Sequence, residues 1–550
     1  MGRARLGSFI AFTAMFAVAA MIVFWGTLAL DKVPVMPDAQ TSFSADHAGD
    51  FICKWRESGK AVPGDILNFI GSPYLWVEMQ YVFALYFAAL GMAYFLRGRG
   101  LGRFAAYSAG LFLAFSGYWI TLFSAGHLGW FQWMTYGVFA FALADRVILK
   151  GRLRHSLLFG ALLAWGSFYQ PDLWLLFTVF TGAYFVYRSV LDWPGFRHWA
   201  FRCAIALVAF VAVGLPSFIS AITKDLAGRD RQIASGETVS LSVSSDAEKR
   251  WVFTTNWSMP PEDTLEFYRA RIHGDTSCEM TLALSRLNGS EIKPYTGRLG
   301  RPYGAASGNY RQHSLYVGAT TCCFALIGLL MAINGPRRRD AIFFAVAAVV
   351  FWLFSMGRYC EPVYRIVYAL PFGDYLRAPV KWHHLTEFSI VSLSAFGLEA
   401  AWRIIAEKRV LWARAVLLCL VAAAVVELAA QAKIYCAPHT ADTVAGVLPR
   451  PIPPDFAEAL HFRKQISQAG LKIAGETKKA FRLSDGSVRE FPVLVVEQCV
   501  KRPEPRKMED IVPLKGGAYF AAILSLLSTL GVLAFAAVSA GSRKIDGVKL

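Results

Sequence analysis

Twelve apolar stretches, each about long enough to cross a bilayer, divide the chain, and the polar linkers between them alternate in character. The stretches begin near residues 8, 78, 104, 129, 156, 173, 203, 313, 341, 385, 410 and 516. A hydrocarbon core of ~30 Å takes about 20 helical residues per crossing. The pattern therefore predicts an α-helical polytopic membrane protein with about 12 transmembrane helices. Every second linker is short and rich in Arg and Lys, whereas the others are longer and carry most of the Asp, Glu, His and Pro.

Orientation follows from the bias of basic residues toward the cytoplasm. Arg3 and Arg5 precede the first stretch, and Arg97, Arg99 and Arg103 fill the turn after the second. Lys150, Arg152 and Arg154 follow the fourth, and Arg188, Arg197 and Arg202 the sixth. Arg337, Arg338 and Arg339 follow the eighth, Arg403, Lys408 and Arg409 the tenth, and Arg543, Lys544 and Lys549 the last. Both termini are thus expected in the cytoplasm, with the acidic linkers outside the inner (plasma) membrane. Any active site is expected on that extracytoplasmic side.

Three outer linkers are large. Residues 31–77 form an amphipathic segment whose Trp55, Phe69 and Trp76 suit the headgroup level. Residues 223–312 are polar. Residues 432–513 carry a helix signal at 454–469 and strand signals at 479–483 and 490–497, which predict a small α+β outer cap. The expected organisation is a transmembrane domain over 1–431 with outer loops 31–77 and 223–312, the cap over 432–513, and a final helix with cytoplasmic tail over 514–550.

Composition agrees with the class: 55% of residues are hydrophobic and 14% aromatic, with a mean hydropathy of +0.40, above what a soluble enzyme carries. The formal charge of +17 raises nucleic acid as a partner. Much of that excess sits in short interhelical turns, where topology and anionic lipid already account for it, so no nucleic acid is expected. Arg3 and Arg5 ahead of Ala17, Ala19 and Ala20 resemble a signal peptide, but the apolar run continues through Trp25 to Leu30, too long for a usual signal core.

Of the nine cysteines, Cys203, Cys322, Cys323 and Cys419 lie in apolar stretches and read as packing residues. Cys53, Cys278, Cys360, Cys436 and Cys499 fall in outer segments, where disulfides form. Cys436 and Cys499 bracket the cap and are the candidate bridge.

Asp38 follows the first stretch by a few residues, with Asp46 and Asp50 close behind. A carboxylate at the membrane surface can accept a proton from an attacking hydroxyl, and a solvated loop acid is the plainer reading. His127 sits in a very short outer turn, where it would meet phosphate, metal or a carboxylate, or serve only as an interfacial side chain. Asp172 lies where almost no polar loop separates two apolar stretches, a costly place for an acid without a partner. Pro379 suits the first turn of a helix, placing Arg377 and Lys381 about one turn apart beside its positive end, as an anion site or as bases reaching for lipid headgroups. Glu262 and Asp263 after Pro260-Pro261 read as helix-start acids, with a substrate-pocket role as the alternative.

Several segments, in this order, resemble the YfhO-like bacterial membrane proteins of the GT-C glycosyltransferase superfamily. They are Pro37-Asp38, SGKAVPGDILNFIGSPYLW at 58–76, FSGYWITLFSAGH at 115–127, PPEDTLEF at 260–267 and FSMGRYCEPVYRIVYALPFGDYLRAPVKW at 354–382. The last is the most specific, resembling the family's F-R-A-P-x-R-F pattern with Leu376, Lys381 and Trp382 as departures. Ser42-Phe43-Ser44 also departs from the family's Tyr-Tyr-Pro-like segment, and Gln170-Pro171-Asp172 from a His-Pro-Gln-like one.

The resemblance implies a GT-C-like bundle, with Asp38 as the catalytic base and a polyprenyl-phosphate-linked sugar as donor. The acceptor would be an extracytoplasmic glycan or cell-envelope polymer. Arg377 and Lys381 would then stabilise the departing lipid phosphate. His127, Asp172, Asp46, Asp50, Glu262 and Asp263 would line the substrate pocket, and a divalent metal beside Asp38 is an open option. The competing readings are a transporter or flippase for a lipid-linked substrate and a non-catalytic envelope scaffold.

Overall fold

The computed structural model describes residues 3–24, 73–125, 127–167, 171–220, 246–277, 292–298, 313–333, 335–370, 373–407, 411–435, 443–451, 472–482 and 488–499. All eleven apolar stretches that fall on these residues are helical, and the twelfth, near 516, lies outside them. In chain order the helices are α1 (Arg3–Phe24), α2 (Pro73–Gly98), α3 (Arg103–Phe115), α4 (Gly117–Ala125), α5 (Leu128–Lys150), α6 (Leu153–Gly166) and α7 (Pro171–Leu191). There follow α8 (Phe196–Ser220), α9 (Asp246–Thr254), α10 (Ala319–Ile333), α11 (Arg338–Ser355), α12 (Glu361–Tyr368), α13 (His383–Glu407) and α14 (Leu411–Tyr435).

The expected twelve spans are not reached among the described residues. Six segments are long and apolar enough to cross a bilayer: Leu6–Phe24, Met79–Gly98, Asp172–Leu191, Phe196–Leu215, Pro379–Glu407 and Leu411–Ala432. Two bent pairs, α3 with Gly117–Phe123 and α11 with Gly357–Tyr368, raise the number to eight. Helices α6 and α10 have 14 and 15 residues, which at 1.5 Å per residue reach only about 21–23 Å. Helix α5 has 23 residues but mixes Asp145 and Arg146 into its apolar sequence.

The break between α3 and α4 has a visible cause. Ser116 is extended, the two helices meet at 43°, and Gly117 N–H donates to Tyr316 O at 2.6 Å rather than to a helical carbonyl. Ser314 N–H in turn donates to Thr121 Oγ1 at 2.9 Å. Residues 313–318 are thus an extended strap packed into the bundle, with Leu315 and Val317 fully buried. Irregular backbone survives at that depth only when protein satisfies its polar groups, and here the strap and the helix break satisfy each other. The sequence placed a helix start at 313, whereas α10 begins at Ala319 after Gly318 at φ 107°.

The core is aromatic. Phe388 of α13 packs against Phe95, Phe141, Phe177, Phe180 and Phe344 from α2, α5, α7 and α11 at 5.0–6.4 Å between ring centroids. Gly328 and Gly397 let α10 and α13 touch, since a Cβ on either would overlap the other helix's backbone. Exposed Leu207 and Val208 on α8, Leu326 and Leu330 on α10, and Val416 on α14 form an apolar exterior suited to lipid.

The two ends of the bundle differ. At one end the turn after α2, the ends of α5, α7 and α13, and the start of α11 bring together Arg99, Asp145, Arg188, Asp340 and Glu399. These are the basic turns expected on the cytoplasmic side. His127, Asp172 and Lys381 stand at the opposite ends of α5, α7 and the Pro379–Glu407 span.

Three strands, β1 (Thr443–Pro451), β2 (Lys472–Arg482) and β3 (Val488–Cys499), form an antiparallel sheet in the order β1-β3-β2. The strand signals at 479–483 and 490–497 fall on β2 and β3. The helix expected at 454–469 lies outside the described residues, so a sheet alone, rather than an α+β unit, is described in this region.

Candidate functional site

Pro171 opens α7, a position where its missing N–H costs nothing, and Asp172 follows in the first turn. The Asp172 Oδ1 accepts the N–H of Leu173 at 2.9 Å. Its Oδ2 accepts a hydrogen bond from Lys381 Nζ, and both side chains are nearly buried, at 4% and 11% exposure. Lys381 lies on the 3-10 turn Pro379–Trp382 that leads into α13, behind Ala378 at φ 64°. That left-handed residue is held by Val380 N–H donating to Trp257 O at 3.2 Å and Lys381 N–H to Ala378 O at 3.0 Å.

This arrangement corrects the expected anion site. Arg377 precedes the left-handed residue, so it does not share a helical face with Lys381 and takes different neighbours. Its guanidinium lies over Trp257 at 4.3 Å and Phe253 at 5.1 Å. Lys381 instead sits 5.3 Å from the ring centroid of Trp130, with Asp172 balancing its charge.

Trp130 is where the scattered candidates meet. His127 stands at the residue before α5 and stacks on Trp130 at 5.3 Å and 24°. His127, Lys381 and, through Lys381, Asp172 therefore converge around one indole from three separate parts of the chain. Asp38, Asp46, Asp50 and Cys436 lie outside the described residues. Cys499 ends β3, in register with Thr443.

Behind Trp130 is a cluster that the sequence reading missed. His384 packs against Trp119 at 4.0 Å, Tyr118 at 4.2 Å and Trp130 at 5.4 Å. Tyr118 also contacts His383 at 5.2 Å and His313 at 4.9 Å, and Phe267 covers His383 at 4.4 Å. Glu387, one turn further along α13, is fully buried. Among the described residues, neither oxygen of Glu387, neither ring nitrogen of His384, and neither the Tyr118 hydroxyl nor the Trp119 indole N–H finds a hydrogen-bond partner. A buried polar atom left so costs about 1–3 kcal/mol, which marks the cluster as more than packing. The available signal was His383-His384-x-x-Glu387 opening an apolar span, since ionisable groups inside membrane segments are functional candidates by default.

Glu262 and Asp263 have structural partners. Pro261–Phe267 is a 3-10 helix with Pro in its first turn, as the helix-start reading expected. Glu262 accepts two hydrogen bonds from Arg298, at 2.6 and 2.7 Å, and Asp263 accepts one from the Tyr295 hydroxyl at 2.8 Å. Both acids thus tie residues 292–298 to the 3-10 helix instead of meeting His127 or Lys381. The hydrogen bond from Arg298 holds the Glu262 carboxyl below its usual range. Because its folded pKa is depressed, its contribution is complete above about pH 4.5, its ordinary value, and is lost as pH falls through the lowered one. Protection of the Tyr295–Arg298 amides, taken relative to intrinsic exchange, is expected to be lost in the native chain only below about pH 4.5, and already at pH 7 in Glu262→Gln. Equal protection in both proteins at pH 7 would refute this.

Among the described residues no three His, Cys, Asp or Glu side chains are grouped as a metal-ligand set. Cys203, Cys322, Cys323 and Cys419 lie in helices as expected, and with Cys360 they are free thiols. No protein-family model matches the chain, and no curated protein is significantly similar to it. The likeness to YfhO-like proteins therefore rests on the quoted segments alone.

Proposed function

We propose that the protein is an integral-membrane glycosyltransferase that moves a sugar from a polyprenyl-phosphate carrier to an extracytoplasmic glycan or cell-envelope polymer. One observation carries the reading: His127 and Lys381, from two of the resembling segments, meet at Trp130 at the end of the bundle opposite the basic turns, with Asp172 paired to Lys381. A lipid phosphate leaving a sugar needs a cation close to the membrane surface. Lys381 is such a cation, held in place by Asp172 and walled by an indole. Arg377, spread on Trp257 and Phe253, supplies a second one nearby in sequence, and Asp38 is the base in this reading.

The test is release of carrier phosphate by the purified protein in lipid, with a panel of polyprenyl-phosphate sugars and acceptors. Lys381→Ala and Asp38→Asn are each expected to lower turnover by about 10²–10⁴-fold, the range for a lost charge stabiliser or base. Full turnover in both variants would overturn the assignment of roles, and no release with any donor would overturn the enzyme reading. A transporter or flippase is the second reading, favoured by the ionisable groups buried in the Pro379–Glu407 span. Lipid-linked sugar crossing vesicle leaflets without phosphate release would select it.

A further inference from the structure

We infer that the turn between α5 and α6 is a binding site for the phosphate of an anionic phospholipid, in the leaflet that meets the basic end of the bundle.

The cations at that end are not alike. Arg99 and Arg188 are neutralised by Asp145 and Asp340, and Arg403 by Glu399. Arg337 spends its guanidinium on the carbonyls of Arg99 and Gly100, where α2 ends. The α5–α6 turn is different. It holds Lys150, Arg152 and Arg154, all exposed, with Arg146 one turn earlier on α5. None of these four meets a carboxylate among the described residues. Arg146 lies over the Tyr94 ring at 4.7 Å, a contact that leaves its charge without a counter-ion. Arg202 of α8 adds a fifth cation, donating to the carbonyls of Val147 and Ile148 at 3.0 Å each. Like charges gathered in this way repel one another until an anion joins them.

The backbone adds to the attraction. Helix α5 ends at Lys150, Gly151 turns the chain in the left-handed region at φ 58°, and Arg152 precedes α6 without a side-chain cap. The first N–H groups of a helix have no partner inside it, and the positive end of the α6 dipole therefore meets the same cations. A second observation points to a ligand. His155 and Ser156, in the first turn of α6, are 7% and 0% exposed. His155 Nδ1 and Ser156 Oγ have no hydrogen-bond partner among the described residues. The His155 ring is set among Arg154, Arg146, Arg152 and Lys150, all within electrostatic reach of it. A phosphodiester offers only acceptors at its charged oxygens, whereas guanidinium, hydroxyl and imidazole N–H groups can all donate to it.

The apolar surroundings favour a lipid over a free phosphate ion. Leu153 and Leu157, one turn apart on α6, are exposed, as are Leu158 beside them and Leu149 at the end of α5. They lead from the cations into the apolar exterior of the bundle. Trp193 and Phe196, exposed between α7 and α8 at the same end, suit the headgroup level. A headgroup held by the arginines would lay its acyl chains along these leucines, and the arginine stems can rest on the same surface.

Native mass spectrometry of the full-length, delipidated protein in a non-ionic detergent tests this, with phosphatidylglycerol, phosphatidylcholine and inorganic phosphate titrated in turn. The readout is binding, so it does not depend on whether the chain transfers a sugar. Phosphatidylglycerol is expected to bind about tenfold or more tighter than phosphatidylcholine, and inorganic phosphate at equal concentration is expected not to displace it. One cation beside an anionic lipid contributes about a factor of five, so Arg152→Gln with Arg154→Gln is expected to weaken phosphatidylglycerol by about 25-fold. Arg338→Gln with Arg339→Gln, exposed at the same end but next to Asp340, is expected to cost less than about fivefold. His155→Leu, which leaves every cation in place, is expected to weaken the lipid by about tenfold. If the Arg152 and Arg154 double variant does not fold, Arg152→Gln alone is expected to cost about fivefold. Unchanged binding in the variants of Arg152 and Arg154 overturns the site, and equal losses at the two arginine pairs reduce it to a general surface attraction and overturn it as well. Displacement by inorganic phosphate at equal concentration overturns the lipid as its occupant.

Discussion

Replacing Asp172 by alanine, with Lys381 left in place, is expected to destabilise the bundle by about 3–5 kcal/mol, the cost of stranding one partner of a buried ion pair. The size follows from the surroundings: the pair is nearly buried, the Trp130 indole lies beside it, and Lys381 is fixed by a turn that cannot easily swing it into water. The pair itself is a weak source of stability, because two charges must be taken out of water to form it. Asp172→Leu combined with Lys381→Met is therefore expected to recover most of the loss. Thermal unfolding of the wild type, Asp172→Leu, Lys381→Met and the double variant in one detergent gives the coupling. A single Asp172→Ala cost below about 1 kcal/mol, the value for an exposed pair, would mean that the charges are solvated. If the double variant is stable yet does not turn over donor, the pair is retained for chemistry and not for folding.

The helices were legible because apolar run length reports helices directly. All eleven stretches on described residues became helices, yet length alone did not tell a span from a buried short helix, as α6 and α10 show. The helix start at 313 failed for a different reason. The segment 313–318 is apolar enough for a helix, but its backbone serves Gly117 and Thr121 some 190 residues earlier, a partner no local pattern reveals.

The site divided along the same line. Asp172 and Lys381 were readable singly as costly charges at an interface, but their pairing across 209 residues was not. Arg377 and Lys381 were placed together by counting helical turns, and Ala378 at φ 64° broke that count. Glu262 and Asp263 were read correctly as helix-start acids, while their partners Arg298 and Tyr295 lie in a segment with no periodicity to announce it. His383, His384 and Glu387 were passed over because they opened an apolar span and so looked like its polar edge, whereas the strap and α4 bury them.

At the opposite end, Asp145→Ala is expected to cost at least as much as Asp172→Ala, because one carboxylate there answers two buried arginines. Asp145 Oδ1 lies 3.2 Å from Arg99 Nη1 and 3.3 Å from Arg188 Nε, and accepts the Tyr184 hydroxyl at 3.1 Å. Asp340 meets the same arginines at 2.7 and 3.7 Å. Four elements are thereby joined: the turn after α2, α5, α7 and α11. Those arginines entered the sequence reading only as markers of the cytoplasmic side, yet they are buried structural charges, and bulk anionic lipid cannot replace Asp145. The loss leaves Arg99 and Arg188 with less than one full counter-charge each inside protein, which is the costly way to break a buried network, about 3–5 kcal/mol or more. Asp192, the i+4 partner of Arg188, is 39% exposed, so Asp192→Ala is expected to cost about 0–1 kcal/mol. Unfolding midpoints of Asp145→Ala, Asp340→Ala and Asp192→Ala should therefore fall in that order of severity. If Asp145→Ala proves no worse than Asp192→Ala, these arginines are held by solvent and lipid, and the four elements need another source of cohesion.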